Sequence, residues 1–296
     1  MKRKIVIIAG ATASGKSIQA MHMAHSLDGV IINADSQQVY MDIPILTAQP
    51  SEQDRKLLDH RLYGIIKCSD SFSVGKWLKM VLSEIQEAKS HGKIPIVVGG
   101  TGLYLRALVE GFAEIPPISA KTLNNIAALD ASSSNGTIYD LLKQVDKVLY
   151  QQLKLNDRQR ILRALSVYYD TGIALSEWQK RSKRLFPRED FYTILLNPSR
   201  EQVYSNCNSR FLKMINSGVV EEVKRLMLVY PHAKYLKVLG LSELIEYVDG
   251  RSALDSAIAI AQKHTRNYAK RQMTWFRHQM KYDRVTESLL ANFQIE

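Results

Sequence analysis

The sequence predicts an α/β protein in which a parallel sheet is flanked by helices and interrupted by a helical insertion. Three observations carry this. Short β-branched runs at Ile5–Ala9, Val30–Ala34 and Ile94–Val98 are each followed by Gly or Asp and alternate with longer stretches of helical spacing, the pattern of parallel βα units. The first run breaks directly into a glycine-bracketed loop. A fourth run, Tyr192–Leu196, follows a long interruption and reads as a strand rejoining the same sheet.

After the first strand, Gly10-Ala11-Thr12-Ala13-Ser14-Gly15-Lys16-Ser17 fits GxxxxGK[ST], between a predicted strand and a predicted helix. This makes the sheet P-loop-type. Small residues let successive backbone N–H groups curl around an anion at a helix N-terminus, Lys16 adds a point charge, and the Ser17 hydroxyl is placed to ligate Mg²⁺. The loop specifies a diphosphate or triphosphate and does not by itself say whether a nucleotide carries it. After the second strand, Asp35 in "ADSQQVY" sits where open parallel sheets place their ligand crevice, although Asp is also a favoured helix cap. After the third, Gly99, Gly100, Thr101 and Gly102 bring a hydroxyl to the same end of the sheet without large side chains; a tight turn alone also explains these glycines.

"EIPPISAKTL" then opens a stretch of helical periodicity with a polar "DASSSNG" tip, ending at "KRSKRLFPRED". The expected organisation is a catalytic core of 1–115 and 190–296 with a helical insertion domain at 116–189. Asn197 or Ser199 is placed to cap the helix after the fourth strand. Residues from Val219 to Tyr282 read as helices with turns at "VYPHAK" and "VDGRSA". Within them Lys263, Arg266, Lys270, Arg277, Lys281 and Arg284 fall at helical steps and predict one basic stripe, with Tyr268 and Trp275 across from it.

Composition narrows the partners. A net charge of +11 and a pI of about 9.5 suit a polyanion such as RNA. Cys68 and Cys207 stand far apart, outside any CxxC spacing, which argues against a disulfide framework or a zinc site. His22 and His25 share a helix face without a carboxylate-rich pattern and read as ordinary helix residues. The start, MKRKIVIIAG, lacks a cleavage-type tail, and no segment holds about 18 uninterrupted apolar residues, so a soluble cytoplasmic protein with no membrane partner is expected.

Taken together, "GATASGKS", "ADSQQVY", "VGGTGLYLRAL", "LNDRQRILRALSVYYDTG", "NSRF" and "NYAKRQMTWFR" resemble the tRNA dimethylallyltransferases, in family order over nearly the whole chain. The resemblance implies transfer of a dimethylallyl group from dimethylallyl diphosphate to N6 of the adenosine 3′ of the anticodon, with Mg²⁺, on the tRNA anticodon stem-loop. It makes the phosphate loop a clamp for a leaving diphosphate and Asp35 the group that orients the amine and accepts its proton. By the same resemblance Thr101 is a second contact to that amine and Arg210 reaches the diphosphate. Gln159, Arg160 and Arg163, near Asp157, then contact tRNA, and Ser36, Gln37 and Gln38 meet the splayed adenosine. Lys270, Arg277 and Lys281 would contact phosphates without reading sequence. The chain is expected to act as a monomer.

Three positions depart from the family pattern: Ala11 replaces a Pro, Gln49 replaces the Lys of GTAKP, and "GLSE" at Gly240–Glu243 replaces GYKE or GYRE. The last two remove a basic or aromatic group near the RNA or substrate. Two other functions compete, a P-loop small-molecule or nucleotide kinase and a non-catalytic RNA-binding or nucleotide-gated switch protein. The kinase leaves the basic stripe without a purpose, and no NKxD-like base-reading motif supports a GTPase switch.

Overall fold

A computed structural model describes residues 4–290, so the first residues of the charged start lie outside the described chain. Six strands form one sheet: β1 (Ile5–Gly10), β2 (Gly29–Asn33), β3 (His60–Arg61), β4 (Ile94–Gly99), β5 (Phe191–Leu196) and β6 (Arg284–Thr286). Their order is β3-β2-β4-β1-β5-β6 and every pairing is parallel, as the βα pattern predicts. β1 lies between β4 and β5, with Val6 in register with both Ile96 and Tyr192. β1 and β2 are buried throughout, which is why they read as continuous apolar runs and not as alternating ones. The edge strands β3 and β6 are too short and polar to announce themselves by period. The Asp283 carboxylate ties β6 in, accepting from Thr193 N at 2.7 Å and Thr193 Oγ1 at 2.8 Å.

One compact unit comprises the residues up to Val109 together with those from Phe186 onward. Its helices are α1 (Lys16–Leu27), α2 (Glu52–Leu57), α3 (Val74–Ser90), α4 (Gly102–Glu110), then, beyond the other unit's helices, α10 (Arg200–Asn216), α11 (Val219–Val229), α12 (Leu241–Val248) and α13 (Leu254–Gln279). Ser199 caps α10, its side chain accepting from Gln202 N. The core on one side of the sheet gathers Val6, Ile8, Ile31, Ile96 and Ile194 with Ala20 and Met23 of α1. A second cluster joins Phe211 of α10, Val223 of α11 and Leu244 of α12 to Ile43 and Leu46.

The other unit spans Glu110–Leu185 and holds α5 (Ala120–Ser132), α6 (Asn135–Val145), α7 (Lys147–Gln152), α8 (Arg158–Thr171) and α9 (Leu175–Lys180). Ile126, Ile138, Leu142, Leu149, Ile161 and Leu165 form its own core. It begins earlier than residue 116 because Phe112 bridges Lys183. It ends before 189 because Phe186 packs edge-on against Phe191 of β5, with ring centroids 5.8 Å apart.

The predicted basic stripe needs correction at its end. α13 stops at Gln279, Met280 is extended, and the chain turns into β6, so Lys281 and Arg284 are not on the helix. The bonds from Asp283 to Thr193 draw this segment onto the sheet edge and end the helical period. On α13 itself Lys263, Lys270 and Arg277 are exposed, whereas Arg266 is half-buried and donates to Asn208 Oδ1 at 2.6 Å.

Candidate active site

The loop between β1 and α1 keeps its shape for steric reasons. A Cβ on Gly10 would lie 2.6 Å from Leu196 O and 2.8 Å from Ser14 Oγ, and Ala13 (φ 61°) and Gly15 (φ 95°) take left-handed conformations that curl the chain. Three side chains from later in the sequence hold it. Asn206 Nδ2 donates to Ala13 O at 3.0 Å, Arg210 Nη2 donates to Thr12 Oγ1 at 2.6 Å, and Gln272 Oε1 accepts from Thr12 N at 2.8 Å. Lys16 Nζ donates to Ala11 O at 2.6 Å. The Ser14 hydroxyl is buried and has no hydrogen-bond partner among the described residues.

Asp35 emerges from β2 on a fixed backbone. Asn33, fully buried, accepts from Asp35 N at 2.8 Å and donates to Asp35 O and Leu62 O, each at 3.0 Å, while Trp77 Nε1 donates to Asn33 O at 2.8 Å. One carboxylate oxygen of Asp35 accepts from Gln37 N at 2.9 Å. The other approaches the Gly100 turn, where a Cβ would be 3.3 Å away. Thr101 Oγ1 accepts from Ser36 N at 2.9 Å and donates to Ser36 Oγ at 3.2 Å, so β2 and β4 present Asp35 and Thr101 as neighbours at one end of the sheet.

A cavity of about 410 Å³ runs past the phosphate loop, Asp35 and Arg210; Ser36 and Thr101 are not among its lining residues. Its polar lining includes Thr12, Lys16, Ser17, Asp35 and Arg210; its apolar lining includes Leu46, Phe211 and Met214 from one core cluster, Tyr63 and Val98 from another, and Leu239. Burial, reinforced by Arg210, pulls the Lys16 ammonium down to about 8 against the opposing pull of Asp35, and burial lowers Arg210 as well. Neither cation makes an ion pair among the described residues. Two desolvated positive groups facing one cavity are an anion site, because a bound anion restores the lost solvation. The charge of Lys16 should therefore be visible in anion binding. Affinity for inorganic diphosphate is expected to fall, by at most about tenfold per pH unit, as pH rises through about 8 and Lys16 loses its proton. Titration calorimetry across that range tests this, and a flat profile would count against Lys16 as a contact.

The residues fit a Mg²⁺ carried by the substrate better than a resident one. Ser17 offers one exposed hydroxyl and Asp35 one carboxylate, and no group of three or more His, Cys, Asp or Glu able to hold a metal occurs among the described residues. Mg²⁺ commonly keeps several waters and takes substrate phosphates as ligands. His22 and His25 are exposed on α1 and belong to no such group.

The structure brings together Thr12, Ala13, Gly15, Lys16, Ser17, Asp35, Gln37, Gln38 and Arg210 around the cavity. Gly10, Ala11 and Ser14 support the loop from behind. Gln38 Nε2 is already engaged, donating to Thr47 O at 3.1 Å and Ala48 O at 2.6 Å, and Gln37 Oε1 accepts from Leu239 N at 3.4 Å. Gln159, Arg160 and Arg163 are exposed on α8 of the helical unit, opposite its buried Ile161, Ala164 and Leu165. Asn33, Asn206 and Gln272 were not singled out from the sequence; Gln272 lies within "NYAKRQMTWFR", but only the basic and aromatic residues of that stretch were given roles.

Two departures from the family pattern are structural in this chain. Gln49 Nε2 donates to Tyr40 O at 2.7 Å and Thr47 Oγ1 at 3.2 Å, closing the loop that carries Leu46 into the cavity wall. Gly240 (φ 82°) starts α12, Leu241 is core, and Glu243 is buried against His264 and accepts from Ser242 Oγ at 2.9 Å.

Comparison with known proteins fits this geometry. A family model described as IPP transferase matches residues 38–279. The chain belongs to that family. Its relatives include a "tRNA dimethylallyltransferase" of Wolbachia sp. subsp. Drosophila simulans, 42% identical over 283 residues, with 94% of this chain and 95% of the relative covered. A relative of the same description from Rhodospirillum centenum is 41% identical over 281 residues, covering 94% of this chain and 90% of its own. Among solved structures, a eukaryotic dimethylallyltransferase acting on tRNA superposes with TM-score 0.79 at 29% identity, covering 93% of this chain and 70% of that one. The full-length tRNA isopentenylpyrophosphate transferase of Bacillus halodurans gives TM-score 0.66 at 30% identity, covering 96% and 89%. The IPP transferase match begins downstream of the phosphate loop and Asp35, whose placement the cavity itself supplies.

Proposed function

We propose that this chain transfers a dimethylallyl group from dimethylallyl diphosphate to N6 of the adenosine 3′ of the anticodon in tRNA, releasing diphosphate. The observation that carries it is the one cavity lined by Lys16 and Arg210, the carboxylate of Asp35 and apolar side chains. A kinase would use the same cations but leaves the exposed basic residues of α13 without a purpose. The allylic C–O bond breaks with its electron pair passing to the diphosphate, whose growing charge Lys16, Arg210 and the loop N–H groups stabilise. A C–N bond forms to N6, and Asp35 accepts the amine proton while Thr101 helps orient the base. The prenyl group lies against Leu46, Phe211, Met214 and Leu239. Bound with the diphosphate, Mg²⁺ held by Ser17 would supply Lewis-acid stabilisation of the leaving charge.

The tRNA is held by exposed basic residues on two elements, Arg160 and Arg163 with Gln159 on α8, and Lys270 and Arg277 on α13 with Lys281 just beyond it. Ser36, Gln37 and Gln38 line the path of the adenosine. The helical unit is a tRNA-contacting domain and the protein works as a monomer in the cytoplasm. No helix of the described residues is long and apolar enough to cross a membrane. Incubating the protein with labelled dimethylallyl diphosphate and tRNA, and separately with ATP, tests the reading: label should enter tRNA, and phosphoryl transfer from ATP without prenylation would overturn it.

Replacing Lys270, Arg277 and Lys281 together by Gln removes three exposed charges, so folding should persist. Affinity for tRNA should fall, and its log-log salt slope should flatten by about 0.7–0.9 per lost phosphate contact. Transfer at saturating tRNA should change much less. Filter binding at several salt concentrations measures this; an unaltered slope would make these residues merely solvated.

A further inference from the structure

We infer that Gln272 is the positioning residue that fixes the phosphate loop and the Gly100 turn at one separation, and thereby sets the gap between leaving group and nucleophile. This rests on the prenyl-transfer reading and deepens it. Gln272 lies in the buried stripe of α13, among Ala261, Thr265, Ala269 and Phe276, and is only 6% exposed. Its Oε1 accepts from Thr12 N at 2.8 Å and its Nε2 donates to Gly100 O at 2.7 Å. One amide thus bonds the backbones of both loops. Burying an amide in such a stripe is unfavourable unless both its ends are bonded, and here both are.

The sterics of the turn agree. A Cβ on Gly100 would lie 2.5 Å from Gln272 Nε2, and one on Gly102 would lie 2.2 Å from the Trp275 ring. The two glycines are seats for two side chains three residues apart on one face of α13. On either side of the amide are the working groups: Thr12, gripped by Arg210, and Thr101, which holds Ser36 beside Asp35. The reacting atoms must approach to about 3–3.5 Å, and a displacement of about 1 Å costs on the order of 10²-fold in rate, so the length of this brace acts on the chemical step.

Two variants test it. Gln272→Leu keeps the volume and removes both bonds; kcat should fall about 10–100-fold, with donor affinity and KM for tRNA within about threefold of wild type. In Gln272→Glu the protonated acid both donates and accepts, as the amide does, whereas the carboxylate has no proton for Gly100 O. The ratio of its kcat to wild type should rise as pH falls from about 8 to about 6, because burial raises a carboxyl pKa, while the Leu ratio stays flat. Without substrates, amide exchange in the 10–17 peptide should quicken in the Leu variant, since Thr12 N–H loses its acceptor. A folded Leu variant with kcat within about twofold of wild type, a loss confined to donor affinity, or unchanged exchange would overturn the brace. If the Leu variant does not fold, the pH ratio of the Glu variant decides. A wild type that prenylates no tRNA would instead refute the function, and the exchange result alone would then decide the brace.

Discussion

Asp35→Ala is expected to slow prenyl transfer by about 10²-fold or more while dimethylallyl diphosphate binds nearly as in wild type, the signature of a lost general base. The separation of effects follows from the site. One carboxylate oxygen is held by Gln37 N while the other approaches the Gly100 turn, and the loop bonds of Asn206, Arg210 and Gln272 do not involve this side chain. Asn33 still fixes the backbone at position 35 in the variant, so misfolding would not mimic the result. Single-turnover transfer alongside equilibrium donor binding measures the two quantities. Wild-type transfer in the variant would remove Asp35 from the mechanism.

Lys16→Ala should weaken donor binding and slow transfer together, lowering kcat/KM by about 10²–10³-fold, the scale seen when one preorganised donor to a developing anion is lost. The charge acts on the bound diphosphate and more strongly on the departing one, so both steps suffer. The variant should also lose the decline in diphosphate affinity as pH rises through about 8. A variant that binds and transfers normally would refute the clamp; one that keeps the pH dependence would assign that titration to another group.

The sheet and the polar half of the site were legible in the sequence because each has a local signature. β1, β2, β4 and β5 are continuous apolar runs of five or six residues, and GxxxxGK[ST] encodes its own turn. Asp35 and Thr101 were legible because parallel βα connections bring successive strand ends to one edge. β3 and β6 have two and three residues and draw their stability from neighbouring strands and from Asp283, so no window of sequence contains the reason for them. The stripe of six basic residues was overread: helical steps continue arithmetically through Lys281 and Arg284, but the bonds of Asp283 to Thr193 stop the helix first. The roles of Asn33, Asn206 and Gln272 were invisible, even though Gln272 stands in "NYAKRQMTWFR", because their partners are backbone atoms, and Gln272 and Thr12 are 260 positions apart.

That separation has a consequence for synthesis. A ribosome adding about 5–20 residues per second takes about 13–50 s to travel from Thr12 to Gln272. Through this interval the nascent chain already contains its phosphate loop, yet the loop lacks the amide that spaces it from the Gly100 turn, and for the larger part of it β1 also lacks its neighbour β5. A chain released before α13 is complete would carry every residue of the GxxxxGK[ST] motif, Asp35 and Thr101, yet the loop would lack its amide spacer from the pair that Asp35 and Thr101 form, so competence waits for α13.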